Sequence, residues 1–375
     1  MKASVVREFG GGFHTEDVTL SDPVGREVLV EVKASGLCHS DELAQSTNLG
    51  FDVPVVFGHE VAGIVTAIGD QVRDVAVGDH VVGCLVQYCG ACIQCLTGSV
   101  NLCLHPEATV RENRITDGEG REVNQGMGLG GFAEYALIHE NQLAKVPDAM
   151  PFPQAALLGC GVVTGAGAVM NTAKVQPGQT VAIIGTGGVG TNAISGAVIA
   201  GASRIIAIDV ADDKLTNARH FGATDTVNSR EVDAVQAVKD LTGGLGADFV
   251  FDFVGAPGVT RSGFDMLAQG GGLYLIGVLD PTNSIELSSF ELLGGRKRVE
   301  GVYMGWLDQP EARHPHDRGA LPAGPLQARR TRLQGDLDRR DPGRLRLPPR
   351  PEDQPRGDHE LLTPPACGDH AFSTG

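Results

Sequence analysis

The sequence predicts an α/β protein: a doubly wound parallel sheet over residues 156–305, preceded over 1–155 by a mostly β domain that includes a small cysteine-rich lobe at about 84–105. Three observations carry that prediction. Between 181 and 276 short branched apolar runs alternate with helix-length segments, the signature of βαβ units with helices on both faces of a parallel sheet. The first of those runs, Val181-Ala182-Ile183-Ile184, passes directly into Gly185-Thr186-Gly187-Gly188-Val189-Gly190, a strand followed by a phosphate turn. Before residue 155 the pattern is one of short strands and turns without a 3.6-residue period.

Size and charge bound the function. A chain of 375 residues accommodates two domains and a sizeable core. The formal charge of −16, with no long Lys/Arg block before residue 306, argues against nucleic acid or an acidic membrane surface and for small-molecule chemistry. No run reads as long and apolar enough to span a bilayer, and MKASVVREFG has no signal-peptide core, so a cytoplasmic protein is expected. Eight cysteines in such a compartment read as metal ligands or buried thiols rather than disulfides.

In chain order, residues 27–32 and 61–68 read as strands, and a turn at Gly78-Asp79 enters another. Cys38 (GLCHSD), His59 (VFGHEVAG) and Cys160 (LGCGVVTG) are far apart, each with a glycine within two residues. Singly, Cys160 reads as a buried small hydrophobe and His59 as a turn histidine. As a set, two thiolates and an imidazole fill three positions of a tetrahedral zinc site and leave a fourth open, the catalytic arrangement. Cys89, Cys92, Cys95 and Cys103 form C-x2-C-x2-C-x7-C, with Gly90 and Gly98 for turns. Four thiolates closing a tetrahedron are a structural zinc arrangement, with an iron–sulfur cluster as the alternative. Cys84, after an apolar strand, reads as a buried thiol, and residues 105–128 as a long polar loop.

In the phosphate turn, Gly185 permits the tight bend, Gly187 lets backbone approach a pyrophosphate, and Gly190 lets the next helix pack close, with its N-terminal amides facing the anion. A second strand at 204–209 ends in Asp209, about twenty residues beyond the glycines. Its carboxylate can accept from ribose hydroxyls and repels a 2′-phosphate, which selects NAD over NADP. Further strands are expected at 248–251, 273–276 and 298–304, with helices at 190–200, 212–221, 232–241 and 258–268 between the earlier ones.

Residues 306–375 break the pattern. They hold 11 of the 20 prolines and 11 arginines, but no Lys, Ile, Val or Tyr. Acidic residues and arginines balance at 11 each, so all of the −16 lies earlier in the chain. Translation in a shifted reading frame of a GC-rich gene gives such a switch from about Gly305 onward; a disordered tail is the other reading of the same composition.

The run Gly58-His59-Glu60-x-x-Gly63-x5-Gly69-x-x-Val72, the four-cysteine lobe, GCGVVTG and the nucleotide turn together resemble the zinc-dependent medium-chain alcohol dehydrogenase family over residues 1 to about 305. The resemblance implies a GroES-like catalytic domain and a Rossmann coenzyme domain, two zinc ions per chain, NAD, and a homo-oligomer, dimer or tetramer. Cys38, His59 and Cys160 would be the catalytic zinc ligands, with Glu60 just behind the metal and able to approach it. Asp41 would hold His59. Ser40 would relay the substrate proton, His39 would face the coenzyme phosphates, Thr164 and Val189 the nicotinamide, and Lys214 the adenosine ribose beside Asp209. Several relatives end the relay in a histidine where this chain has Leu43. The long loop resembles insertions near the substrate entrance, and C-terminal contacts of the family do not carry over to 306–375. The implied activity is NAD-dependent interconversion of alcohols with aldehydes or ketones. Alternatives are oxidation of a formaldehyde–thiol adduct, a dehydrogenase with permanently bound NAD, and a non-catalytic zinc- and nucleotide-binding protein inactivated by its altered end.

Overall fold

The computed structural model describes residues 1–277 and 284–305. The segment 306–375, with its frame-shift and disorder readings, lies outside the described residues.

Short β-branched strands build two sheet systems in the N-terminal part. A closed barrel runs through Lys2–Val6, His14–Leu20, Ile115–Asp117, Glu122–Gln125 and Val55–Val56. A five-stranded antiparallel sheet has the order Leu143–Lys145, His80–Gly83, Glu60–Ile68, Glu27–Gly36, Tyr135–His139. Val28, Val30, Val61, Val65 and Val81 fill one core, and Val5, Val18, Val56, Ile115 and Val123 the barrel. The period of two in these strands is why no helical signal marks the region.

The part is mostly β as expected, with a short helix, His39–Ser46, too short and too polar to show an apolar period. One expectation needs correction. Residues 105–128 are not a plain loop, because they hold the barrel strands Ile115–Asp117 and Glu122–Gln125. Ile115 and Val123 are buried in the barrel core. Asp117 fastens the turn between them, accepting from the N–H groups of Glu119 and Arg121 and from the guanidinium groups of Arg7 and Arg121.

The C-terminal part is a six-stranded parallel sheet in the order Asp225–Asn228, Arg204–Asp209, Thr180–Ile184, Ala247–Asp252, Leu267–Leu275, Arg298–Gly301. Val181 and Ile183 face one core with Ala193, Ile194 and Leu215, while Ala182 and Ile184 face the other with Val238 and Phe264. Both faces are therefore covered, by helices Gly188–Ala200 and Asp212–His220 on one side and Ala234–Leu241 and Pro257–Asp265 on the other. The strand order reverses between Thr180–Ile184 and Ala247–Asp252, and a crevice at such a switch point is where open α/β sheets take ligands.

Between the sheet systems lies one continuous helical stretch. It is α over Phe152–Leu157, π over Leu158–Val162, α over Val163–Gly167 and π over Ala168–Thr172. By length, 21 residues, and composition, mean hydropathy 1.4 over its most apolar stretch, it is able to cross a bilayer, which corrects the expectation that no run is. Its surroundings are those of a core helix: 56% of its most apolar stretch is buried inside the protein.

Candidate metal centres and nucleotide turn

The helix His39–Ser46 starts at Cys38, whose backbone is extended at φ −95°. Asp41, three residues on, is completely buried. One of its oxygens accepts the Cys38 N–H at 3.3 Å; the other accepts the Gly58 N–H at 3.2 Å and His59 Nδ1–H at 2.9 Å. A single carboxylate thus ties the cysteine to the histidine. Gly58 has φ +101°, and a Cβ there would stand 2.5 Å from the Phe132 nitrogen, so only glycine delivers His59 to this place. In the strand pairing, Gly36 lies opposite Glu60, and a Cβ on Gly36 would sit 2.0 Å from Glu60 Oε2.

Cys160 comes from the first π turn. That turn presses on the five-stranded sheet, since a Cβ on Gly159 would be 2.0 Å from the Gly83 carbonyl oxygen. The result is that the ligand atoms of Cys38, His59, Glu60 and Cys160 all lie within 4.8 Å of one another. His59 Nε2 is buried and has no hydrogen-bond partner. The neighbouring Cys160 thiol brings the Cys38 pKa down to about 3 despite burial, and the neighbouring Cys38 together with burial pushes Cys160 far up. Burial opposes the charged ring of His59, but Asp41 and Cys38 outweigh it and raise its pKa to about 10. Glu60 is raised by burial and by the Cys38 charge.

These residues fit a zinc ion. Donors around a tetrahedral zinc at about 2.0–2.3 Å stand roughly 3.3–3.8 Å apart, and thiolate, imidazole and carboxylate are its usual ligands. The orphaned Nε2 is otherwise an uncompensated polar atom in a buried place.

The second cluster is closed. Cys92 Sγ lies 3.5 Å from Cys95 Sγ and 3.9 Å from Cys103 Sγ, and Cys89 Sγ 3.9 Å from Cys95 Sγ. Backbone N–H groups of Ala91 and Cys92 point at Cys89 Sγ, and those of Cys89 and His105 at Cys103 Sγ. Gly90 and Gly98 turn the chain at φ +74° and +97°. Neither Ile93–Leu96 nor Val100–Leu102 contains a buried residue, and Ile93 is 63% exposed, so little apolar packing holds the loop that carries the four thiols.

At the nucleotide turn Gly185 has φ +86°, while Gly187 and Gly188 are bare, with nothing within 4 Å of where a Cβ would be. Asp209 ends its strand at the side of this turn. It accepts from the Thr186 N–H at 2.8 Å and hydroxyl at 3.0 Å, and from the Val210 and Ala211 N–H groups at 2.7 and 3.2 Å. Those bonds, with the Lys214 charge, lower its pKa although burial opposes them. A Cβ on Gly190 would stand 1.9 Å from the Gly185 carbonyl oxygen. Gly190→Ala is therefore expected to open the turn and weaken dinucleotide binding at least about tenfold, or 1.4 kcal/mol, in a calorimetric titration.

The helical stretch joins the two places. Four residues after Cys160, Thr164 is buried with its hydroxyl 3.4 Å from Met304 Sδ, and a Cβ on Gly165 would be 2.2 Å from the Val189 carbonyl oxygen. Ser40 Oγ lies 3.7 Å from Cys38 Sγ. His39 is 80% exposed, with Glu42 at 3.7 Å, and stands apart from the cluster. Sequence reasoning missed Thr186, Met304 and Asn192. A Cβ on Gly161 would lie 3.9 Å from Asn192 Nδ2 and 3.6 Å from Glu60 Oε1. Thr186 had a signal, its place inside the glycine turn; the other two had none.

Residues 25–148 match the alcohol dehydrogenase GroES-like domain, and residues 188–314 the zinc-binding dehydrogenase family. Over 317 residues the chain is 39% identical to an S-(hydroxymethyl)glutathione dehydrogenase of Synechocystis sp., covering 81% of this chain and 85% of that one. An alcohol dehydrogenase zinc-binding domain protein from Burkholderia ambifaria superposes at a TM-score of 0.78, with 35% identity and 89% of each chain covered. Benzyl alcohol dehydrogenase from Acinetobacter calcoaceticus does so at 0.76, with 34% identity and the same 89% coverage.

Proposed function

Since the chain belongs to the zinc-dependent medium-chain alcohol dehydrogenase family, we propose that Cys38, His59 and Cys160 hold the catalytic zinc of an enzyme that oxidises alcohols to aldehydes or ketones with NAD. When bound, zinc supplies a Lewis acid that polarises a substrate oxygen and NAD supplies the hydride acceptor. The observation that carries the site is the buried, unpartnered Nε2 of His59 among two thiols and the Glu60 carboxylate.

The chain's own groups have separable tasks. Asp41 accepts from Nδ1–H and so fixes the tautomer that leaves Nε2 for the metal. Glu60, whose Oε2 fills the space that a Cβ on Gly36 would take, would stand behind the metal and be able to approach it. Ser40, 3.7 Å from Cys38, takes the proton of the substrate hydroxyl. Leu43 cannot extend that relay, so release of the proton needs water or another group. The bare backbone of Gly187 and Gly188 receives the pyrophosphate. Asp209 and Lys214 bind the adenosine ribose, Asp209 repelling a 2′-phosphate. Thr164 and Val189 border the nicotinamide, and His39 faces the phosphates. Cys89, Cys92, Cys95 and Cys103 hold a structural zinc. The division at residue 155, a cytoplasmic location and a homo-oligomeric state complete the reading, and light scattering tests the last.

Asp41→Asn replaces one acceptor oxygen by a donor facing N–H groups. It is expected to lower catalytic-site zinc affinity about 10–100-fold in a chelator competition, since outer partners of a metal-bound histidine have that effect.

The test of function is zinc analysis together with NADH formation from aliphatic, aromatic and terpenoid alcohols. The expected outcome is two zinc ions and NAD-dependent oxidation; two zinc ions with no turnover of any alcohol would leave a binding protein. The 39% identity to S-(hydroxymethyl)glutathione dehydrogenase favours a second reading, oxidation of a formaldehyde–thiol adduct. Turnover of formaldehyde only with added glutathione selects it. Turnover only with an external electron acceptor selects permanently bound NAD.

A further inference from the structure

We propose that the Thr186 hydroxyl is a displaceable partner of Asp209: it fills the acceptor position that the coenzyme's adenosine ribose takes, and by competing for it weakens coenzyme binding. The proposal rests on Asp209 being the ribose acceptor.

A carboxylate offers about four acceptor positions, two on each oxygen. In Asp209 all four are taken by protein, two by Val210 and Ala211 and two by Thr186. Three of these donors are backbone N–H groups that cannot withdraw. The Thr186 N–H belongs to the turn begun by Gly185, whose own N–H is bonded to the Ile208 carbonyl at 2.9 Å. Ala211 is the residue from which helix Asp212–His220 starts. The fourth donor is a hydroxyl on a single rotatable bond.

A ribose hydroxyl arriving as a donor therefore finds no open position on Asp209. Of the four bonds, only the one from the Thr186 hydroxyl breaks without deforming the turn or the helix. Thr186 is only 2% exposed, so in the coenzyme-free protein this bond also spares two buried polar groups from going unpaired. The arrangement stabilises the empty site and opposes its filling.

Calorimetric titration of the full chain with NADH tests this. Thr186→Val keeps the shape and removes the hydroxyl, leaving Asp209 fixed by three N–H bonds with one position open. It is expected to bind NADH about three- to tenfold more tightly, the range that one hydrogen bond carries. Thr186→Ser retains a hydroxyl and is expected to bind like the parent. A structural role alone would lower the melting midpoint of Thr186→Val equally with and without coenzyme; displacement requires that the deficit shrink at saturating NADH. Unchanged or weaker NADH binding by Thr186→Val overturns the proposal. Asp209→Asn separates the two levels: weaker NADH binding by that variant upholds Asp209 as ribose acceptor whatever Thr186→Val does. Undiminished binding removes both.

Discussion

Cys160→Ala is expected to lower kcat/KM by about a thousandfold or more and to bring zinc content from two per chain towards one. Polarisation by the metal is worth several kcal/mol of transition-state stabilisation, and each 1.36 kcal/mol is a factor of ten. The remaining donors are Cys38, His59 and Glu60, all within the same 4.8 Å cluster. If Glu60 moves in to complete the set, the carboxylate that stood behind the metal loses its place there, and a harder oxygen replaces a thiolate. If it does not, three-fold anchoring falls to two-fold. Alanine itself is well suited to the helix, so the fold should persist. Turnover within tenfold of the parent would remove Cys160 from the catalytic site.

The second large effect is expected from Cys92→Ala, and it is one of order rather than chemistry. The lobe has no buried residue in either of its helical turns, and Ile93, Leu96, Leu102 and Leu104 all face solvent. Most of its free energy of folding is therefore expected from its metal, for which zinc-finger peptides give about 10–16 kcal/mol. Loss of one thiolate should release the segment to proteases that cut at apolar residues, with cleavage at least about a hundredfold faster. The effect reaches further, because Asn101 Nδ2 donates to the Tyr303 carbonyl oxygen at 3.0 Å and Val100 packs beside Val86, Cys160 and Met304. A loss of roughly 3 kcal/mol corresponds, in a chain of this size, to a fall in melting midpoint of roughly 4–5 °C. Limited proteolysis and calorimetry check both, and a lobe as resistant as the parent's would show that something other than the four thiolates holds it.

What the sequence makes legible follows from where burial is two-sided. Val181 to Ile184 and Arg204 to Asp209 lie in the middle of a sheet covered on both faces, so their apolar runs are continuous and stand out. Asp225–Asn228 was not legible, because only Val227 of its four residues is buried. Barrel strands Ile115–Asp117 and Glu122–Gln125 contribute one or two buried residues each; the Asp117-Gly118 pair between them was the available turn signal. The metal residues were legible through their glycine neighbours, and the geometry gives the reason: Gly58 turns left-handed before His59, and Gly159 lies against a carbonyl beside Cys160. That Leu158 to Asp209 carries a metal ligand and the nucleotide turn in one segment is legible; that 152–172 is one helical stretch is not, since it is rich in glycine and alanine and its period is interrupted twice.

Those interruptions have a consequence for how such a chain tolerates length changes. A π turn holds one residue more than the α turn it replaces, and Cys160 sits in the middle of one. Deleting a single residue between Leu158 and Val162 would heal that turn into regular α-helix with its two ends keeping nearly their mutual rotation, while a residue inside the turn is shifted by up to about 100° around the axis. Gly165 would keep its place against Val189, but the thiol, inside the altered turn, would lose its aim. A locus where one codon fewer yields a smoother secondary structure but a misdirected sulfur is one where indels, rather than substitutions, are the sharper hazard.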